Sequence, residues 1–94
     1  MRLNLSFGSV ESLPAMYHLY IVECIDGTLY TGTAVNVERR IHQHNEGKGA
    51  RYTRGRRPVK LVYTERHKTR SSACRREHEI KKWPKNKKLA LAGR

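Results

Sequence analysis

The sequence predicts a small α+β domain: a three-stranded antiparallel sheet flanked by helices, in the order β-β-α-β-α-α. Three observations lead there. Two runs rich in β-formers meet at an Asp-Gly turn, a third run alternates apolar with polar residues, and the remaining blocks open on helix-capping residues. A chain of 94 residues supports one core and leaves too little for a second.

Each element has its own reason. Residues 17–24 (YHLYIVEC) read as the first strand, and Asp26-Gly27 turns the chain because both residues tolerate positive φ. The return strand is Thr28 to Gly32. Asn36 suits an N-cap, with Glu38 in the first turn and Gly47 closing a helix over Val37–Glu46. The apolar side of that helix is narrow, carried by Val37 and Ile41. Residues 47–58 (GKGARYTRGRRP) hold three Gly, one Pro and five Lys/Arg, and read as a basic loop. The alternation of Val59 to Glu65 suits a third strand. Ser71 or Ser72 caps a second helix that runs to about Trp83, where Pro84 stops it. Asn86 caps a short last helix ending at Gly93.

The charge narrows the function. Twenty Lys+Arg against 8 Asp+Glu give +12 at pH 7 and a pI near 10.3. Such an excess points to a polyanion, nucleic acid first and an anionic membrane surface second. No run approaches the roughly 18 apolar residues of a membrane span, and no helix has the broad apolar face of a membrane-surface helix. Residues 1–15 carry one Arg and one Glu and no sustained apolar stretch, so they read as a mobile extension rather than a secretory signal. The domain is then 16–94, cytoplasmic, with Cys24 and Cys74 as free thiols.

Most carboxylates have a plain explanation in turns, helix ends or strand ends, Glu23 and Glu65 among them. Glu77 does not. It shares one helical stripe with Ala73 and Ile80, so it faces inward and needs an ion pair with an arginine, a hydrogen bond or a metal. Arg40 and His44 stand four apart on the first helix and project from one face, whereas Arg39 and His42 point elsewhere, toward solvent or phosphate. Tyr20 and Tyr30 flank the hairpin and can approach across the ladder. Four zinc ligands are not assembled by the spacing of His42, His44, Cys24 and Cys74. A Walker loop and a nucleophile elbow are absent from the sequence.

Taken together, Tyr17-His18-Leu19-Tyr20, Asp26-Gly27, Tyr30-Thr31-Gly32 and Asn36-x3-Arg40-x3-His44-Asn45 resemble the GIY-YIG nuclease domain. The likeness continues through Gly47 to Thr53 (GKGARYT), Pro58, Leu61-Val62-Tyr63 and Ala73-x3-Glu77-x3-Lys81, about residues 17–92. In scale it is similar to the small stand-alone bacterial GIY-YIG domain proteins. The resemblance implies a metal-dependent endonuclease with Tyr20 and Tyr30 as the motif tyrosines. Arg40 becomes the helix arginine, His44 occupies the position that carries Tyr or His, and Glu77 is the ligand of Mg²⁺ or Mn²⁺. The chain departs from the pattern with His18-Leu19 for Gly-Ile, Thr31 for Ile or Val, Thr33 after the second triplet and Leu89 where some members carry Asn.

Under that resemblance Arg40 stabilises charge on the phosphate and Tyr20 takes a proton from water. That role needs positive charge beside the phenol, whose ordinary pKa is ~10. Tyr30 and His44 orient the water or relay its proton. Arg39, Lys48, Arg51, Arg54, Arg56, Arg57, Lys81 and Lys82 follow the nucleic-acid backbone, DNA most of all, without reading sequence. A DNA repair or recombination role is one setting. Two alternatives keep the charge argument: a non-catalytic nucleic-acid-binding module, and a nuclease subunit that needs a protein partner for substrate recognition.

Overall fold

The architecture follows from one strand, Tyr17–Glu23 (β1), that is covered on both faces. A computed structural model describes residues 16–94; the expected mobile extension over 1–15 lies outside the described residues. β1 is the middle of a three-stranded antiparallel sheet, between Leu29–Ala34 (β2) and Lys60–His67 (β3). Its central position explains a run too continuously apolar for a one-sided strand. Tyr20, Val22 and Cys24 form one buried face with Val59, and pack against Val37 and Ile41 of helix Val37–Asn45 (α1). Leu19 and Ile21 form the other, closed by Ile80 of helix Arg70–Lys81 (α3), with Trp83 and Leu91 beside it.

β2 runs on to Ala34, beyond the expected end at Gly32, because Thr33 and Ala34 still pair with Leu19 and His18. In the turn, Asp26 Oδ1 accepts from the Thr28 N–H at 3.1 Å, and Gly27 adopts φ +85. Asn36 caps α1 as expected, its Oδ1 accepting from the Arg39 N–H at 3.0 Å. The basic segment 47–58 is not all loop: Arg51–Arg54 forms a single helical turn (α2). Its N-cap is Ala50, which offers no side-chain hydrogen bond, so the sequence carries no start signal there.

Two further expectations need correction. Thr69, not Ser71 or Ser72, caps α3, its hydroxyl accepting from the Ser72 N–H at 3.0 Å. The physical reason is that β3 continues to His67, which brings the extended Thr69 backbone directly to the helix start. The last helix, Lys85–Leu91 (α4), begins after Pro84 rather than at Asn86, because the Pro84 carbonyl already accepts from the Lys87 and Lys88 amides. α3 also stops at Lys81, two residues before Trp83.

Glu65 lies within β3 rather than at its end and ties the strand to α3. It accepts from the Tyr63 hydroxyl, from Arg76 Nε at 3.0 Å, and pairs with His67 Nε2 at 2.7 Å. These bonds hold its carboxyl below the usual range, and they outweigh the opposing effect of burial.

Gly32 shows how tightly the sheet fits its tyrosine. It sits opposite Tyr20 in the ladder, and a Cβ there would lie 2.7 Å from the Tyr20 hydroxyl and 2.8 Å from Cζ. Tyr20 is fully buried and has no room to retreat. Gly32→Ala is therefore expected to destabilise the protein by about 1–3 kcal/mol, read as a lower urea midpoint. An unchanged midpoint would show that the ring is free to move.

Candidate active site

The site is built on the Tyr20 face of the sheet. Tyr20 and Tyr30 are diagonal across β1 and β2, since Tyr30 pairs with Val22 and Tyr20 with Gly32. Their ring centroids are 6.4 Å apart. α1 lies over them and delivers His44, fully buried, one turn beyond Ile41 on the same stripe. His44 Nε2 is 2.7 Å from the Tyr20 hydroxyl, and its ring meets Tyr30 edge-on at 5.4 Å. The other ring nitrogen, Nδ1, is 2.8 Å from Thr53 Oγ1 of α2. Gly49 makes room for this: a Cβ at that position would fall 2.2 Å from His44 Nδ1.

Arg40 projects from the same side of α1 as His44. Its Nη1 donates to Gln43 Oε1 at 3.2 Å, and its charge acts on both Tyr20 and His44. Burial pushes the Tyr20 hydroxyl up to about 12, and Arg40 opposes this without reversing it. The positive neighbour that the sequence demanded is present, yet the phenol stays protonated at neutral pH. Burial, reinforced by Arg40, holds His44 below the ordinary 6.5, so its imidazole is neutral there.

Glu77 lies on the inward stripe between buried Ala73 and Ile80, with its side chain 22% exposed. The sequence anticipates an arginine as its ion partner; the structure supplies Lys81, whose Nζ is 2.8 Å from Glu77 Oε2. The reason is helical: positions four apart on α3 face each other. Lys81 Nζ also lies 5.6 Å from the Tyr30 ring centre, which brings this lysine to the edge of the cluster.

The remaining basic candidates divide into two groups. Arg39, Lys48, Arg51, Arg54 and Lys82 are exposed. Arg56 and Arg57 are engaged by the fold. Arg56 Nε donates to Asp26 Oδ2 at 3.0 Å and Nη1 to the Tyr52 carbonyl at 2.9 Å, with its guanidinium 4.1 Å from the centre of the Tyr52 ring. Tyr52 in turn stacks on Tyr30. Arg57 donates to the carbonyls of Arg54 and Asn45. Sequence reasoning assigned no role to Thr53, Gly49 or Tyr52. The quoted segment GKGARYT spans all three, but no spacing rule connects a loop residue to a ring nitrogen on another helix.

Among the described residues, no three His, Cys, Asp or Glu side chains gather as metal ligands. Glu77 is a partly exposed carboxylate. A hard oxygen donor of this kind fits Mg²⁺ or Mn²⁺, which keep several waters and share ligands with substrate phosphates. It does not fit a structural zinc.

Paired tyrosines, a helix arginine and histidine, and a carboxylate on a facing helix define a nuclease-type domain. Residues 16–90 match the GIY-YIG catalytic domain, and the chain belongs to that family, whose nucleases are generally divalent-metal dependent. It is 57% identical over 76 residues to the UPF0213 protein of Haloquadratum walsbyi, covering 81% of this chain and 85% of that one. It is 55% identical over 75 residues to the UPF0213 protein of Staphylococcus saprophyticus, covering 80% and 92%. Relatives of this stand-alone kind thus occur in archaea as well as bacteria. The solution structure of the UPF0213 protein of Bacillus halodurans superposes with a TM-score of 0.53 at 45% identity, over 83% of each chain. That of an E. faecalis protein gives 0.55 at 39%, over 81% of this chain and 82% of its own.

The buried neutral imidazole makes stability depend on pH. The unfolded state takes up a proton at His44 near 6.5, whereas the folded state resists until lower pH. Between those two values the unfolded chain binds more protons, so stability rises with pH. The contribution is complete above pH 6.5 and is lost as pH falls from there toward the folded pKa. The thermal midpoint is expected to drop between pH 7 and 5, and to drop less in His44→Gln. Equal slopes in the two proteins would place the lost protonation elsewhere.

Proposed function

We propose that the protein is an endonuclease that hydrolyses phosphodiester bonds in nucleic acid, DNA most of all, with little sequence preference. The observation that carries this reading is the buried Tyr20–His44 hydrogen bond beside Arg40, in a chain of net charge +12. A proton-transfer site needs an acceptor for the phenol and a cation beside it, and His44 and Arg40 supply them.

Tyr20 receives a proton from the attacking water while its own proton passes to His44 Nε2. A free phenolate is never required, which suits a hydroxyl held near 12 and an imidazole held neutral. Arg40 stabilises negative charge on the phosphate, and Tyr30 meets the His44 ring edge-on. Glu77 would hold a Mg²⁺ or Mn²⁺ ion, which supplies charge neutralisation at the phosphate when bound. Arg39, Lys48, Arg51, Arg54 and Lys82 bind the strand through its phosphates, so affinity falls with salt. Arg56 and Arg57 act by holding the segment that carries the other arginines.

The described residues contain no helix long and apolar enough to cross a membrane. We place the protein in the cytoplasm, acting in DNA repair or recombination. The ion pair of Glu77 with Lys81 also favours a second reading, in which the isolated domain rests until a protein partner presents the substrate.

Purified protein with Mg²⁺ or Mn²⁺ is expected to cleave supercoiled plasmid or branched DNA. Glu77→Ala should abolish this, and Arg40→Ala should lower the rate by about 10²–10³-fold. DNA binding that survives in both variants and in the parent, with no cut strand in any, would favour the binding module or the partner-dependent subunit. Because Lys81 competes for the Glu77 carboxylate, Lys81→Met is expected to bind Mn²⁺ several-fold more tightly in calorimetry without DNA. Equal affinities would remove Lys81 from the metal's competition.

A further inference from the structure

We infer that Thr53 is a positioning residue that fixes the tautomer of His44, so that the lone pair of Nε2 faces the Tyr20 hydroxyl. The chain of hydrogen bonds favours this tautomer. Thr53 Oγ1 has one proton, and it donates to the Ala50 carbonyl at 2.9 Å. The same oxygen lies 2.8 Å from His44 Nδ1. With its proton already committed, Thr53 accepts there, which puts the imidazole proton on Nδ1. Nε2 is then unprotonated and accepts the Tyr20 proton across 2.7 Å.

One contact opposes this arrangement. The Ala50 amide points at the same Nδ1 from 3.4 Å, and as a donor it calls for a bare nitrogen. At that length it is at the outer edge of hydrogen bonding, whereas the threonine contact is at full strength. Thr53 therefore wins a competition between two groups of one helical turn. Both Thr53 and His44 are fully buried, so water cannot substitute for either. Gly49 and the α2 turn, which look like generic loop chemistry, bring the hydroxyl to the ring.

The consequence of losing the hydroxyl is directional. In Thr53→Val the amide of Ala50 is the remaining partner of Nδ1, and the proton moves to Nε2. That proton then points at the Tyr20 oxygen, and His44 can no longer receive from it. Thr53→Ser keeps the hydroxyl and keeps the tautomer.

Long-range ¹H–¹⁵N correlation spectra of ¹⁵N-labelled protein above pH 7 read the tautomer without any need for activity. The parent and Thr53→Ser are expected to show His44 protonated on Nδ1, and Thr53→Val on Nε2. A parent protonated on Nε2, or a Thr53→Val that stays on Nδ1, would overturn the assignment. The kinetic part rests on the nuclease reading: plasmid cleavage should fall about 10²-fold in Thr53→Val and return to within a few-fold in Thr53→Ser. Unchanged cleavage in a Thr53→Val protein with a switched tautomer would remove the role in catalysis. A parent that shows the Nδ1 tautomer but cuts no DNA would overturn the nuclease reading and leave the structural assignment standing.

Discussion

The buried hydrogen bond between Tyr20 and His44, 2.7 Å long, is the constraint around which the rest is arranged. A polar pair in a core is costly unless its remaining groups are satisfied. Each neighbouring element answers part of that demand. β2 offers a glycine so that the phenol can lie across it. α1 brings the imidazole at the end of its apolar stripe, and α2 supplies the hydroxyl that completes the ring's second bond. Removing the imidazole or the hydroxyl leaves a buried polar atom without its partner.

The basic residues show that net charge and binding surface are different quantities. Of the positive side chains that suggest a polyanion, some face solvent and others are structural. Arg76 joins α3 to β3 through Glu65 and covers Trp83. Arg56 clasps the hairpin turn through Asp26, and Lys81 neutralises Glu77. Exposed basic side chains remain on α1 and around α2, at Arg39, Lys48, Arg51 and Arg54, and also on β3 and α3, at Lys60, Arg66, Arg70 and Arg75.

Much of this was legible in the chain because it depends on short-range periodicity. The strand alternation, the Asn36 cap and the four-residue spacing of Arg40 and His44 are local, and the structure groups those side chains as the spacing requires. The inward stripe of Ala73, Glu77 and Ile80 was legible for the same reason. What stayed hidden depends on long-range placement. Thr53 meets His44 only because α2 folds back, and a one-turn helix with an alanine at its start leaves no pattern to read. Lys81 is one lysine among many until β2 is known to run beneath it. Glu65 resembled a strand-end carboxylate because β3 extends further than its alternation suggests, and the partners on α3 are remote in sequence.

The clasp of Arg56 between Asp26 and Tyr52 has a thermodynamic consequence. Tyr52 is already stacked on Tyr30, so the segment around α2 is ordered before any ligand arrives. A segment that is rigid in the free protein loses little conformational entropy on docking. Association should then proceed as rigid-body capture, with a small heat-capacity change, and not as coupled folding and binding. A rigid surface leaves any change of shape on binding to the ligand.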